Sequence, residues 1–313
     1  MAENMQTESK FVEYLKKNRT FIIVAVLLLT GVLYSYVNNP VTTEAVLASA
    51  LRHSTPLVLG ALCGLIGERS GIINIGIEGQ MLMAAFLSFL TSSFTDSIGM
   101  GIVAGVLTGG LLGLLLVFIS ETLKVDQIIG GTVINILALG ITGYFYQAGL
   151  TTGGKLQPIA IPVLSDIPVI GRVLFDNPPI TYATIILVFV VQYVLFKTRW
   201  GLRTRAVGEH PRAADTVGVN VLKMRFINTV IAGAIGGLAG AFLTLEAVGS
   251  FERAMTNGRG FVALAVMIFG KYNPLGVWGA ALFFGLATAM QTQLQFAGTV
   301  SYTHLTLPTK RIV

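Results

Sequence analysis

RWGLRTRAVGEHPRAADTVGVNVLKMR, residues Arg199–Arg225, is the longest polar stretch in a chain that is otherwise mostly apolar. Arg199, Arg203, Arg205, Arg212, Lys223 and Arg225 lie in it, and Lys197 stands just before it. Apolar runs flank it at roughly 181–196 and 226–247. So many basic residues between two apolar runs predict a loop on the cytoplasmic face of a membrane. The loop carries signals for a short helix. Pro211 suits a first helical position, where its missing N–H is not needed. Glu209 suits the positive helix start, and Gly218 suits a left-handed stop. Ala213, Ala214 and Val217 fall on one small apolar face, and Arg212 and Asp215 are three apart on another. A helix this short is not stable alone. Either it is an ordinary surface helix held by its own domain, or a partner docks on it from the cytoplasm.

Composition sets the class. Charged residues make up 12% of the 313 residues, against about 25% in soluble domains. Hydrophobic residues make up 53%, and the mean hydropathy is +0.75. Several apolar runs approach the roughly 20 residues that span a bilayer. The expectation is an all-α, polytopic helical membrane protein with about eight or nine spans. The net charge of +6 is a topology signal rather than a nucleic-acid signal, because the basic residues concentrate in the loops assigned to the cytoplasm. Cys63 is the single cysteine, and the histidines at 53, 210 and 304 are scattered. No internal disulfide, metal site or catalytic constellation is expected.

Residues 1–20 are polar and basic, and an apolar run, Phe21–Val37, follows. It is long for a signal peptide, and the nearest Ala-x-Ala (Ala48-Ser49-Ala50) is too far downstream. The run is read as a retained first span with the N-terminus inside. A second span covers about Val46–Ile66. GERSGIINIGIEGQ, residues 67–80, then places Glu68, Arg69, Asn74, Glu78 and Gln80 between two apolar segments. A charge at mid-membrane depth costs about 2.5–3.5 kcal/mol on insertion scales. Irregular backbone there is tolerated only where it is buried or lines a cavity. The stretch is either a solvated cytoplasmic turn or part of a polar path, with Glu68 and Arg69 as a local ion pair. Glu78 is the one acid read as lying inside an apolar segment.

Gly101, Gly105, Gly109 and Gly113 recur every four residues in the span at about 100–119 and mark a close helix–helix contact. Asn135 sits within the span at 128–147, as an interhelical hydrogen-bond partner or a group facing solute. Residues 148–180 form a proline-containing external loop. Its Gly149-x4-Gly154-Lys155 is a near miss to a phosphate-binding loop, with Leu156 where Ser or Thr would hold magnesium. Gly233 with Gly237, and Gly236 with Gly240, repeat the small-residue spacing in the span near 226–247. FERAMTNGRGF (251–261) interrupts the apolar pattern, and FVALAVMIFG (261–270) is too short to cross alone. These residues form either a half-helix entering the membrane from outside or one tilted helix with polar ends. The terminal SYTHLTLPTKRIV lacks apolar periodicity. Residues 299–313 are read as a non-native or truncated tail, with the membrane domain at 21–298.

Three stretches carry a resemblance. GEHPRAADTVGVNVLKMRF followed by AGAIGGLAGAFLTLE resembles the coupling region of a bacterial ABC-importer membrane subunit of the nucleoside and simple-sugar permease type, relatives of the ribose and branched-chain amino acid permeases. SGIINIGIEGQMLM (70–83) and NGRGFVALAVMIFGKYNPLG (257–276) resemble other motifs of that group. The resemblance implies that Glu209, His210, Pro211, Arg212, Ala213, Ala214, Asp215 and Gly218 dock on a cytoplasmic ATP-binding subunit, which would hold the ATP and magnesium. It implies a second permease subunit, a paralogue, and an extracellular solute-binding protein, all working at the bilayer of a bacterial cell membrane. It places Asn74, Glu78 and Gln80 beside the translocation path and Asn257 and Arg259 near the outer gate. The chain itself would bind no cofactor and catalyse no reaction. An ion-coupled secondary transporter of a small polar solute is the alternative. It would need ionisable residues within the spans and often shows inverted repeats.

Overall fold

The protein is described by a computed structural model. It describes residues 30, 35–146, 151–152, 154–162, 164–165, 167 and 170–296. The predicted N-terminal segment, most of the first span and the tail at 299–313 lie outside the described residues. Helices dominate. In chain order they are α1 (Pro40–Arg69), α2 (Ile77–Thr95), α3 (Ile98–Val117), α4 (Gln127–Tyr144), α5 (Ile170–Phe175), α6 (Pro179–Lys197), α7 (Arg199–Glu209), α8 (Pro211–Thr216), α9 (Val221–Ala241), α10 (Arg259–Phe269) and α11 (Pro274–Phe296). One-turn π segments, Phe118–Thr122 and Phe242–Val248, extend α3 and α9. A two-residue antiparallel pair, β1 (Ile159–Ala160) with β2 (Asp176–Asn177), ties off the long loop.

Six described helices are long and apolar enough to cross a membrane: α1, α3 and α9 with their π extensions where present, α4, α6 and α11. α2 has 19 residues and is largely buried. α10 is apolar but has only 11 residues. At 1.5 Å per residue that is about 16 Å, half of a hydrocarbon core of about 30 Å. The half-helix is therefore present, and the single tilted helix is not.

Local side-chain caps start four of the described helices. Ser97 Oγ accepts from Met100 N at the start of α3, and Asp126 accepts from Ile128 N and Ile129 N at the start of α4. Thr198 and Asn220 cap α7 and α9 in the same way. These side chains satisfy amides that have no partner within the helix.

α1 is the central helix, buried continuously from Ser54 to Gly67. Leu59, Leu62 and Leu65 are fully buried, with Ile77, Met81 and Met267 around them. α3 and α9 run antiparallel along a glycine seam. A Cβ on Gly109 would collide with Gly233 O, and one on Gly237 would collide with Gly105 O. Backbones approach this closely only where both faces lack side chains. Outer faces stay apolar: Leu111, Ile136 and Ile186 are each more than 60% exposed, as suits side chains meeting lipid rather than water.

Candidate functional site

A cavity of about 850 Å³ opens at the end of the bundle away from the basic 199–225 loop. Its size lies in the range of small-molecule sites. Arg52 and His53 of α1, Gln157 of the long loop, Glu246 of the second π segment, and Asn257 and Arg259 all line it. Of the predicted path residues, Asn257 and Arg259 therefore meet in one cavity.

The cavity floor lies deep in the bundle. A Cβ on Gly60 would meet Ala263 Cβ at 2.8 Å, so these residues are level with each other. Residue 60 is about 14 Å along α1 from its end at Arg69, which puts the start of α10 near the middle of the bundle. α10 has no local side-chain cap, and its N-cap is Gly258 at φ +79°. Glu78 supplies the cap from α2: its carboxylate accepts Gly258 N at 2.8 Å and Gly260 N at 2.6 Å. A negative charge suits a helix N-terminus. Asn257, at φ +45°, turns the chain into this start, and Arg259 Nη1 donates to Met255 O at 3.1 Å.

α6 repeats the device. Its N-terminus also lacks a local side-chain cap. Glu246 Oε2 accepts Ile180 N at 2.8 Å, and Glu246 Oε1 accepts the Thr181 hydroxyl at 2.5 Å. Glu246 is 4% exposed and falls within the span Val221–Val248. This corrects the sequence reading, which found no acid besides Glu78 within a span. Glu246 stands near the end of the 226–247 run, and what the sequence does not show is its partner, the start of α6.

Asn74, Gln80 and Asn135 do not line the cavity. Asn74 Nδ2 donates to Gln80 Oε1 at 3.0 Å, and both side chains are at most 1% exposed beside Cys63. Asn135 Oδ1 accepts Gly79 N at 2.7 Å, and its Nδ2 donates to Ile75 O at 3.0 Å. Asn135 thus fastens the irregular 70–76 connection to α4 by an interhelical hydrogen bond.

At the other end, α8 occupies Pro211–Thr216, and Gly218 follows at φ +83°. Three details differ from the sequence reading. Glu209 is the last residue of α7 rather than part of the α8 start, and His210 at the junction makes no side-chain cap bond. Ala213 and Ala214 do not share a face in use. Ala214 is 3% exposed and packs with Val207, Met224 and Trp200, whereas Ala213 is exposed and Val217 is 78% exposed. Glu68 and Arg69 form no ion pair. Arg69 Nη2 donates to Tyr272 O at 2.8 Å, and its guanidinium lies over the Phe196 and Tyr272 rings. The Glu68 charge beside Tyr272 raises the phenol above its usual range, with burial adding, so the hydroxyl stays protonated and faces the carboxylate.

The same end holds contacts that sequence reasoning missed. Arg225 Nη1 meets Glu121 Oε1 at 2.7 Å, and Arg225 Nε donates to Ser70 O at 3.3 Å. Gly208 of α7 touches Arg69 O, where a Cβ would not fit. Arg205 lies over the Phe196 ring at 5.2 Å. The polar loop therefore presses directly on the 69–71 turn. No sequence signal pairs these residues, which lie far apart in the chain.

The comparisons with known proteins agree with this architecture. Residues 46–310 match the family described as "Branched-chain amino acid transport system / permease component". The match runs into the terminal segment that the sequence reading set aside. The guanosine ABC transporter permease protein NupQ of Bacillus subtilis is 40% identical over 260 residues, 78% of this chain and 81% of the relative. The nucleoside ABC transporter permease protein NupC of Lactococcus lactis is 38% identical over 261 residues, 80% of this chain and 82% of the relative. A putative glucose ABC transporter permease protein of Haloferax volcanii is 34% identical over 254 residues, 80% of this chain and 77% of the relative. No solved structure matches the chain at a significant level. An apolar helical bundle, a deep cavity with charged residues in its lining and a basic loop packed on the 69–71 turn thus coincide with relatives that are transport subunits rather than enzymes, and the chain is a membrane permease subunit belonging to the family of branched-chain amino acid transport system permease components.

Proposed function

We propose that this permease subunit carries a nucleoside across a bacterial cell membrane through the Arg259 cavity. The basic 199–225 loop faces the cytoplasm, the N-terminus lies inside and the cavity opens outward. The single observation carrying this is the cavity of about 850 Å³ that ends on the capped start of a half-helix. Discontinuous helices with polar termini at mid-depth are a recurring way to bind solute within a membrane. Relatives named for guanosine and nucleosides support the substrate class. A simple sugar is the second reading, favoured by the glucose permease relative.

ATP hydrolysis belongs to a cytoplasmic ATP-binding subunit that docks on the exposed residues from His210 to Gly218, with ATP and magnesium on that partner. A second permease subunit, a paralogue, and an extracellular solute-binding protein complete the transporter. Movement of α7 and α8 reaches the 69–71 turn through Gly208, and Arg225 at the start of α9 holds the same turn. It continues through the Asn135-fastened connection to Glu78 and the start of α10, shifting the population between outward and inward states. Glu78 and Glu246 are both held by helix N-termini, so neither is a free proton carrier of the kind the ion-coupled alternative needs.

The test is uptake of labelled guanosine into cells lacking other nucleoside uptake, with the whole transporter expressed. Uptake abolished by ATP depletion and resistant to a protonophore is expected. Uptake of glucose but not guanosine would move the sugar reading forward, and sensitivity to the protonophore alone would overturn ATP coupling.

A further inference from the structure

Most polar groups around the cavity are already committed. Lys155 Nζ donates to Ala247 O at 2.7 Å, and Arg52 Nη2 reaches Asp176 O at 3.4 Å. The Glu246 carboxylate is taken by Ile180 and Thr181, and Arg253 lies over the Tyr146 ring. Glu252 stands exposed at the rim.

The floor differs. Arg259 is half-buried, and among the described residues its side-chain hydrogen bond is the one from Nη1 to Met255 O. Glu78, the acid nearest in charge, has its oxygens occupied by the Gly258 and Gly260 amides. Among the described residues, the Nε–Nη2 edge of Arg259 therefore has no protein acceptor. The guanidinium cannot swing away freely, because Nη1 anchors it to the turn before α10. His53 faces it from α1 within electrostatic reach, and the Asn257 side chain stands beside it with no hydrogen-bond partner among the described residues.

This leaves two parallel N–H donors at fixed spacing on a side chain that lines the cavity. Such an edge fits two acceptors side by side. Among the described residues, only Phe242 and the His53 imidazole line the cavity as aromatic rings, so base stacking alone offers few contacts to tell one base from another. Among nucleosides, guanosine and inosine present adjacent O6 and N7 acceptors, whereas adenosine presents a donor, N6, next to N7. We propose that Arg259 is the specificity-determining residue of this permease and reads the O6/N7 edge of a 6-oxopurine nucleoside, with Asn257 beside it. The inference rests on the reading that a nucleoside enters this cavity.

The test uses the assembled permease and ATP-binding subunits without the solute-binding protein, so that selectivity of that protein does not enter. Thermal stabilisation is titrated with guanosine, inosine, adenosine and 7-deazaguanosine, which lacks the N7 acceptor. Half-maximal stabilisation by adenosine and 7-deazaguanosine should need about tenfold more ligand than by guanosine or inosine, as expected for loss of one bidentate pair. Arg259→Lys and Arg259→Gln should reduce that ratio to about threefold or less. Equal response of the unmodified complex to guanosine and 7-deazaguanosine overturns the proposal even if both variants fail to fold. So does an unchanged ratio in a folded variant. Guanosine uptake by the whole transporter with no stabilisation by any nucleoside also overturns it. Absence of both uptake and stabilisation instead removes the nucleoside reading on which it rests.

Discussion

The Gly260 amide donates to the Glu78 carboxylate at 2.6 Å, across 182 residues of sequence. A Cβ on Gly260 would lie 2.5 Å from Glu78 N, so only glycine lets α2 and α10 come this close. The pair fixes where the half-helix starts and therefore where Asn257 and Arg259 stand in the cavity. Glu78→Gln keeps one good acceptor and loses the charge that complements the helix start. Its thermal stability should fall by about 1–2 kcal/mol, and Glu78→Ala should lose about 2–3 kcal/mol. Uptake should fall more in the alanine variant than in the glutamine variant. Wild-type uptake and melting temperature in Glu78→Ala would mean that the cap does not position the cavity floor.

The glycine seam separates positions that look equivalent. A Cβ on Gly109 would strike Gly233 O, whereas one on Gly110 would have its nearest neighbour at 3.7 Å. Gly109→Ala should force α3 from α9 and cost several kcal/mol, as overpacking does. Gly110→Ala should change stability by less than about 1 kcal/mol. Thermal unfolding in detergent distinguishes the two, and a matched loss in both would place the seam elsewhere.

Much of the fold is legible in the sequence because membrane insertion imposes long apolar runs and small-residue spacings that survive without tertiary information. Gly101 to Gly113 announces a close contact. It does not say that Gly233 and Gly237 of α9 answer it, because spacing names a face and not its partner. The half-helix is legible as an apolar run too short to cross. Its cap is not, since Glu78 and Gly258 are brought together only by folding. Glu246 is visible near the end of the 226–247 run, but its role as the cap of α6 is not, since residues 180 and 181 are brought to it only by folding. Helical spacing groups Ala213 with Ala214, but the side of α8 that meets the bundle depends on Trp200, Val207 and Met224, which lie in other helices.

Arg225 and Glu121 join the start of α9 to the end of α3 at 2.7 Å, with side chains 18% and 8% exposed. A pair this shielded is weakened only slightly by salt. Glu121→Gln leaves Arg225 with its bond to Ser70 O but without a counter-charge. The variant should melt lower by an amount equal to about 2 kcal/mol, and the difference should persist when ionic strength is raised. A difference that vanishes in high salt would show that the pair is solvated and contributes little.

Ala213 and Ala214 give the sharpest test of the docking surface, because they are adjacent in sequence and opposite in environment. Ala214 is 3% exposed against Val207 and Met224. Arginine there has no room, so Ala214→Arg should disrupt the α7–α8 packing, lower stability by about 3 kcal/mol or more and lose activity for that reason. Ala213 is exposed. Ala213→Arg should leave insertion and melting temperature near wild type. If an ATP-binding subunit packs closely on α8, this bulky charge should cut its copurification tenfold or more and abolish uptake, since hot-spot positions in desolvated contacts tolerate such a change poorly. Ala213→Ser adds one hydroxyl and should retain most of both. A stable Ala213→Arg variant that still holds the ATP-binding subunit and transports normally would move the docking surface off this face of α8.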